Sequence, residues 1–159
     1  MRLFLGLSLP PAVARQLAAG VEQVKTKVPA TSWVPPQNWH ITLLFLGEVA
    51  SDTAAIVRRR FTAVAQDTPP FTLRLQGWGA FPNMKRAKLL WVGVEGERDK
   101  LDRLAASVRA AVTGLIPVDG SKSFVPHMTL TRKVPELNIT NLNSQIPFRT
   151  QDWEVNQMH

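Results

Sequence analysis

Two of the three histidines in this 159-residue chain occupy the same tetrapeptide frame, His40-Ile41-Thr42-Leu43 and His127-Met128-Thr129-Leu130, one in each half. On a β-strand successive side chains alternate faces, so a His-x-Thr frame sends the imidazole and the hydroxyl to one side and its apolar residues to the other. In the first copy His40 and Thr42 are expected on one face, with Ile41, Leu43 and Phe45 on the opposite face, packed. A lone frame of this kind fits any half-buried sheet. Two copies, in a chain with so few histidines, point instead to two equivalent strands that together build a two-histidine site.

The flanking sequence has the same rhythm in both halves. The apolar run Arg2–Ser8 reads as a buried strand. Pro10-Pro11 then opens a helix with the apolar stripe Val13, Leu17, Val21 and Val24, stopping near Val28-Pro29. Trp33-Val34-Pro35-Pro36 is a rigid extended approach to a strand over 40–46 closed by Gly47. Ser51 or Asp52 is expected to cap a second helix through about Ala65, with Val57, Phe61 and Val64 buried and Arg58-Arg59-Arg60 on the solvated face. Residues 71–76 alternate as a strand, 79–88 read as a loop, and 89–92 form a continuous apolar strand. A third helix carries Leu101, Leu104, Val108, Val112 and Leu115 and ends near Gly114. Phe124-Val125-Pro126 then leads into a strand over 127–132, as Trp33 to Pro36 led to the first. The pattern predicts an α+β fold: one domain over 1–159 with two pseudo-symmetric lobes of mainly antiparallel sheet, flanking helices, and the active cleft between the lobes.

Composition narrows the chemistry. Zero cysteines exclude disulfides, thiolate catalysis, iron–sulfur clusters and cysteine-ligated zinc. The 45% apolar content suffices for one core, and a formal net charge of +7 favours an anionic partner, nucleic acid first among them. The opening Met1-Arg2-Leu3-Phe4-Leu5-Gly6-Leu7 is too short to cross a membrane and lacks a signal-cleavage pattern before Pro10, so a cytoplasmic protein without membrane contact is expected.

Imidazole exchanges protons near neutrality, and a hydroxyl two residues on can hydrogen-bond an anionic oxygen. Duplicated, the frame supplies an acid, a base and two phosphate-holding hydroxyls. A metal hydrolase is the rival reading. Each frame offers one ligand, however, and Glu48 is the only acidic side chain near them in sequence, which does not make a metal site. The loop Phe81-Pro82-Asn83-Met84-Lys85-Arg86-Ala87-Lys88 combines an aromatic ring with cations that could stack a base and hold phosphate; it could equally be a solvated hairpin turn with Phe81 in the core. On a regular strand Arg132 would point away from His127 and Thr129, so a supporting salt bridge is the simpler role for it and a direct phosphate contact the other. His159, at the chain end, is expected to be frayed and inert.

Taken together, Arg2-Leu3-Phe4, Trp33-Val34-Pro35-Pro36, His40-Ile41-Thr42-Leu43 running into Phe45-Leu46-Gly47-Glu48, Gly79-Ala80-Phe81-Pro82, Trp91-Val92-Gly93-Val94, and Phe124 to Leu130 followed by Arg132 resemble the 2H phosphoesterase superfamily. Within it the chain is most similar to the bacterial and archaeal RNA 2′,3′-cyclic phosphodiesterases, also called 2′-5′ RNA ligases, from residue 2 to about 153. One departure stands out: members usually continue past Trp153-Glu154-Val155 into a further strand pair, often with a tyrosine, and this chain ends at His159 with no tyrosine.

The resemblance implies hydrolysis of a terminal 2′,3′-cyclic phosphate to a 2′-phosphomonoester. His127 would act as base on water, His40 as acid on the departing O3′, and Thr42 and Thr129 would hold the phosphoryl oxygens. Substrate contacts from Arg132, Phe81, Lys85 and Arg86 complete the expected set. The reverse reaction would join a 5′-hydroxyl in a 2′-5′ linkage as a side activity. No cofactor and no metal is expected, the partners are RNA ends or nucleoside 2′,3′-cyclic phosphates, and a monomer suffices. The alternative is an RNA- or nucleotide-binding module of the same fold with little or no turnover.

Overall fold

The apolar runs at 2–8 and 40–48 pair because each has buried side chains to contribute to the core. In the computed structural model, which describes residues 2–30, 32–116 and 126–155, β1 (Arg2–Ser8) and β2 (His40–Glu48) form a two-stranded antiparallel sheet. Between them runs α1 (Pro11–Lys25), opened by a proline where the first turn needs no N–H, with Val13, Leu17, Val21 and Val24 buried. After β2 comes α2 (Ser51–Gln66), then the long strand β3 (Phe71–Phe81), β4 (Leu89–Gly96), α3 (Arg98–Val112), β5 (His127–Thr131), the short α4 (Leu142–Gln145) and β6 (Trp153–Val155). The second sheet has the order β5-β4-β3-β6, antiparallel throughout. This is the expected α+β architecture of two antiparallel lobes with flanking helices.

One core joins the lobes. Leu5, Leu7 and Ile41 from the first sheet belong to the same buried cluster as Leu73, Leu75, Leu90, Val92 and Met128 from the second. The seam between them is specific. The Val34 amide donates to the Leu130 carbonyl at 2.8 Å, Trp33 bridges to Thr131, and the Thr131 hydroxyl, itself fully buried, donates to the Ser32 carbonyl. A 3₁₀ turn (Pro36–Asn38) then delivers the chain into β2. The proline-rich approach to the first frame is thereby pinned along the strand of the second, and β2 and β5 lie in contact.

Several boundaries differ from the sequence reading. β3 does not stop at Gln76: Gly77, at φ +78°, allows an irregularity opposite Gly93, beyond which the strand continues through Gly79 to Phe81. The expected loop is therefore shorter, and β4 runs on to Gly96. Neither Ser51 nor Asp52 caps α2. Ala50 occupies the cap position, Ser51 is the first helical residue, and the Asp52 carboxylate accepts the Thr53 amide at 2.9 Å. Val57 and Phe61 are buried as expected, while Arg58, Arg59 and Arg60 are exposed. The Arg60 guanidinium donates to the Ala111 carbonyl at 2.9 Å, tying α2 to the end of α3. The Phe124-Val125 approach and His159 lie outside the described residues.

Candidate active site

The two His-x-Thr frames fold alike, down to an irregularity the sequence did not suggest. In β2 the pairs Gly6↔Thr42 and Leu5↔Leu44 leave Leu43 as an extra residue; in β5 the pairs Trp91↔Thr129 and Leu90↔Thr131 leave Leu130 as one. Each strand thus carries a β-bulge three residues after its histidine. Both show the same order of exposure: half-buried histidine, buried residue, half-buried threonine, then two buried residues in succession. A bulge places consecutive side chains on one side and resets the alternation beyond it.

That reset corrects one expectation and bears on a second. Phe45, placed on the packed face by a regular strand, is 58% exposed, because Leu43 and Leu44 both turn inward and return it to the side of His40 and Thr42. Arg132, which a regular strand would turn away from His127 and Thr129, follows the inward pair Leu130 and Thr131 and is exposed at the position equivalent to Phe45.

His40 is held on two sides. Its Nδ1 lies 2.7 Å from the Asn38 carbonyl, which can only accept, so this nitrogen carries the hydrogen and Nε2 is left to exchange a proton with a ligand. Its ring stacks on Phe4 at 4.1 Å between centroids and 17° between planes. The Phe4 ring reaches that position by lying over Gly6, where a Cβ would stand 3.4 Å from it.

His127 sits in an aromatic corner. Phe81 meets it edge-on at 5.2 Å and 85°, Trp91 lies 5.9 Å away, and Phe81 and Trp91 are 5.6 Å apart. Trp91 is seated on Gly79, its partner across β3 and β4, and the indole occupies the space a Cβ there would need. Phe81 is therefore partly exposed beside a histidine, at the rim of this corner.

The remaining expected residues divide. Thr42 and Thr129 are half-buried on the faces of their histidines, and among the described residues neither hydroxyl is bonded to a protein group. The 3₁₀ turn over Met84–Arg86 is organised by the Asn83 side chain, which accepts the Lys85 and Arg86 amides at 3.0 Å each. Lys85 is exposed, whereas the Arg86 guanidinium is engaged by Glu136 at 2.8 Å, a contact that holds the Glu136 carboxyl below the usual carboxylate range. Arg86 is thus tied to a neighbouring loop while its side chain stays largely exposed. Phe4 and Trp91 are the residues to which sequence reasoning gave no role. The signal for them was a glycine inside a strand, Gly6 beside one and Gly79 opposite the other, since such glycines mark close approach.

Among the described residues no three histidine, aspartate or glutamate side chains gather as metal ligands, and no helix is long and apolar enough to cross a membrane. A cavity of about 220 Å³ opens between Asp67–Phe71 and Lys100–Ser107, and none of the expected site residues lines it.

Known proteins are similar to this chain in sequence and in fold. The model of the 2′-5′ RNA ligase superfamily matches residues 9–159. The RNA 2′,3′-cyclic phosphodiesterase of Aquifex aeolicus is 35% identical over 164 residues, covering 99% of this chain and 86% of that protein. Among solved structures, TT0787 of Thermus thermophilus aligns with a TM-score of 0.69 at 34% identity, covering 98% of this chain and 84% of that one. E. coli LigT complexed with 3′-AMP aligns with a TM-score of 0.69 at 25% identity, covering 97% and 83%.

Proposed function

The chain belongs to the 2′-5′ RNA ligase superfamily, and from that premise we propose that it hydrolyses the 2′,3′-cyclic phosphate at RNA ends to a 2′-phosphomonoester. The observation that carries this reading is the paired frame: two His-x-Thr strands with the same bulge at the same position, in contact with each other. Relatives named RNA 2′,3′-cyclic phosphodiesterase, in Aquifex aeolicus and Archaeoglobus fulgidus among others, support the substrate class, as does the 3′-AMP complex of LigT.

The chemistry needs one proton removed from water and one delivered to O3′. His127 takes the first and His40 supplies the second. The Asn38 carbonyl fixes the Nδ1 hydrogen of His40, so Nε2 is the nitrogen through which this ring exchanges its proton with the substrate. Thr42 and Thr129 donate to the non-bridging oxygens as charge grows on them. Arg132, exposed just beyond the end of β5, adds a cation for the phosphate, Phe81 offers a ring beside His127, and Lys85 contributes charge to the approach. The same path run backwards joins a 5′-hydroxyl in a 2′-5′ linkage; water is the more abundant nucleophile, so hydrolysis dominates. One copy of the chain, acting without metal or cofactor in the cytoplasm, completes the reading.

The test is incubation with a nucleoside 2′,3′-cyclic phosphate and assignment of the product phosphate by ³¹P NMR. A 2′-phosphate is expected. A 3′-phosphate would mean that O2′ departs instead of O3′ and would overturn the proposed product, and no turnover would remove the enzymatic reading.

A further inference from the structure

Beyond His40 the first sheet carries a second exposed surface that the hydrolytic mechanism does not use. Phe4 and Phe45 are cross-strand partners, 44% and 58% exposed, and the Arg2 guanidinium lies 5.6 Å from the Phe45 ring centroid. Single exposed apolar residues are ordinary. Here, however, two phenylalanines lie side by side with a cation over one of them, on the sheet that carries His40 and Thr42. Phe4 leans over Gly6 to stack on His40, while Phe45 leans the other way, towards Arg2, with its ring 3.9 Å from where a Cβ on Gly47 would stand. The strip His40, Phe4, Phe45, Arg2 therefore leads outward from the reacting centre. From the Ser8–His40 pair to the Phe4–Phe45 pair is four residues of β1, about 13 Å of strand.

From this juxtaposition we infer that Phe45, with Arg2 above it, is a stacking subsite for a nucleobase of single-stranded RNA lying beyond the nucleotide that carries the cyclic phosphate. The occupant follows from chemistry. An exposed ring offers a face to any base, and an adjacent guanidinium can stack on that base or pair with its phosphate. The strip is continuous with the histidine site, and the chain's net charge of +7 suits a polyanion. The bulge at Leu43 has a role in this: without it Phe45 would be packed inward. The subsite rests on the RNA-end reading above and extends it, because it makes the protein prefer an oligonucleotide end over a free cyclic nucleotide, with little regard to sequence.

The experiment compares kcat/KM for a nucleoside 2′,3′-cyclic phosphate with that for a tetraribonucleotide ending in the same group, using wild type, Phe45→Ser and Phe45→Trp. In parallel, fluorescence anisotropy measures binding of a labelled tetraribonucleotide ending in a 2′-phosphate. Wild type is expected to favour the tetranucleotide. Phe45→Ser should lower that ratio roughly tenfold, the size of one base–aromatic stack, and Phe45→Trp should retain it. Tetranucleotide binding should weaken in Phe45→Ser by a similar factor. Equal losses on both substrates, or no preference in wild type, would overturn the subsite. Should neither substrate turn over, the hydrolytic reading fails by itself and the binding series still decides: selective weakening in Phe45→Ser supports the stacking surface, and unchanged binding removes it.

Discussion

Gly79 and Trp91 face each other across β3 and β4 so closely that a Cβ on Gly79 would stand 2.1 Å from the indole. The glycine is what lets the indole lie flat against the strand, and the same indole borders both His127 and Phe81. Gly79→Ala should therefore push Trp91 into its neighbours. The expected cost is about 1–3 kcal/mol of stability from overpacking. A displacement approaching 1 Å at His127 would lower kcat by up to about 10²-fold. Adding Trp91→Leu to Gly79→Ala should recover melting temperature but not kcat. Recovery of both would show that the indole only fills space.

Replacing His40 or His127 by Ala should each reduce turnover by about 10²- to 10⁴-fold, since each removes one proton transfer. The double variant should be little worse than the poorer single one, because groups that act in one step are not additive. Single-turnover rates on a nucleoside 2′,3′-cyclic phosphate measure this, and near-normal turnover by either single variant would remove the two-histidine mechanism.

Thr42→Val and Thr129→Val keep the β-branched shape that suits a strand and delete only the hydroxyl. Each should cost up to about 3 kcal/mol of transition-state stabilisation, seen in kcat rather than in thermal unfolding. Variants that melt early and catalyse normally would make these threonines structural.

The architecture was legible where its signals are strong: the apolar run of β1 marked a strand, and the 3.6-residue stripe of α1 lies buried as read. The histidine frames were legible because they repeat. The bulges were not, since an extra residue in a ladder leaves no composition signature when it is a leucine among leucines; hence the face of Phe45 was misassigned. The contacts that fix His40 were equally hidden. One is a backbone carbonyl, and the other depends on Phe4 crossing Gly6, a relation between strands that one strand's sequence does not hold.

Arg86 and Glu136 form an exposed pair whose direction with pH can be stated. Hydrogen bonding from Arg86 first, then its charge and that of Lys88, lowers the Glu136 pKa in the folded state. A carboxyl lowered on folding adds stability above its unfolded value, and that contribution disappears as pH falls through the folded value. The melting-temperature difference between wild type and Glu136→Gln should thus be present at neutral pH and vanish on acidification. The same pair tests the role of the arginine. If Arg86 serves only the loop contact, Arg86→Gln and Glu136→Gln should change kcat/KM equally; a larger loss in Arg86→Gln would return it to the substrate.

The pH–rate profile should be bell-shaped, because the working site needs one neutral and one protonated imidazole at the same moment. Its two limbs belong to the coupled pair rather than to either residue. A mechanism resting on one base alone, or on a metal-bound hydroxide, would instead rise towards alkaline pH and level off. Profiles of kcat/KM taken with and without EDTA separate these cases. With each frame offering one imidazole, chelator should leave both limbs in place. A profile that loses its alkaline limb in His40→Ala and its acid limb in His127→Ala, each at strongly reduced rate, would identify which ring gives the proton and which takes it. The reverse pattern would exchange their roles, whereas the product assignment reports separately which ribose oxygen departs.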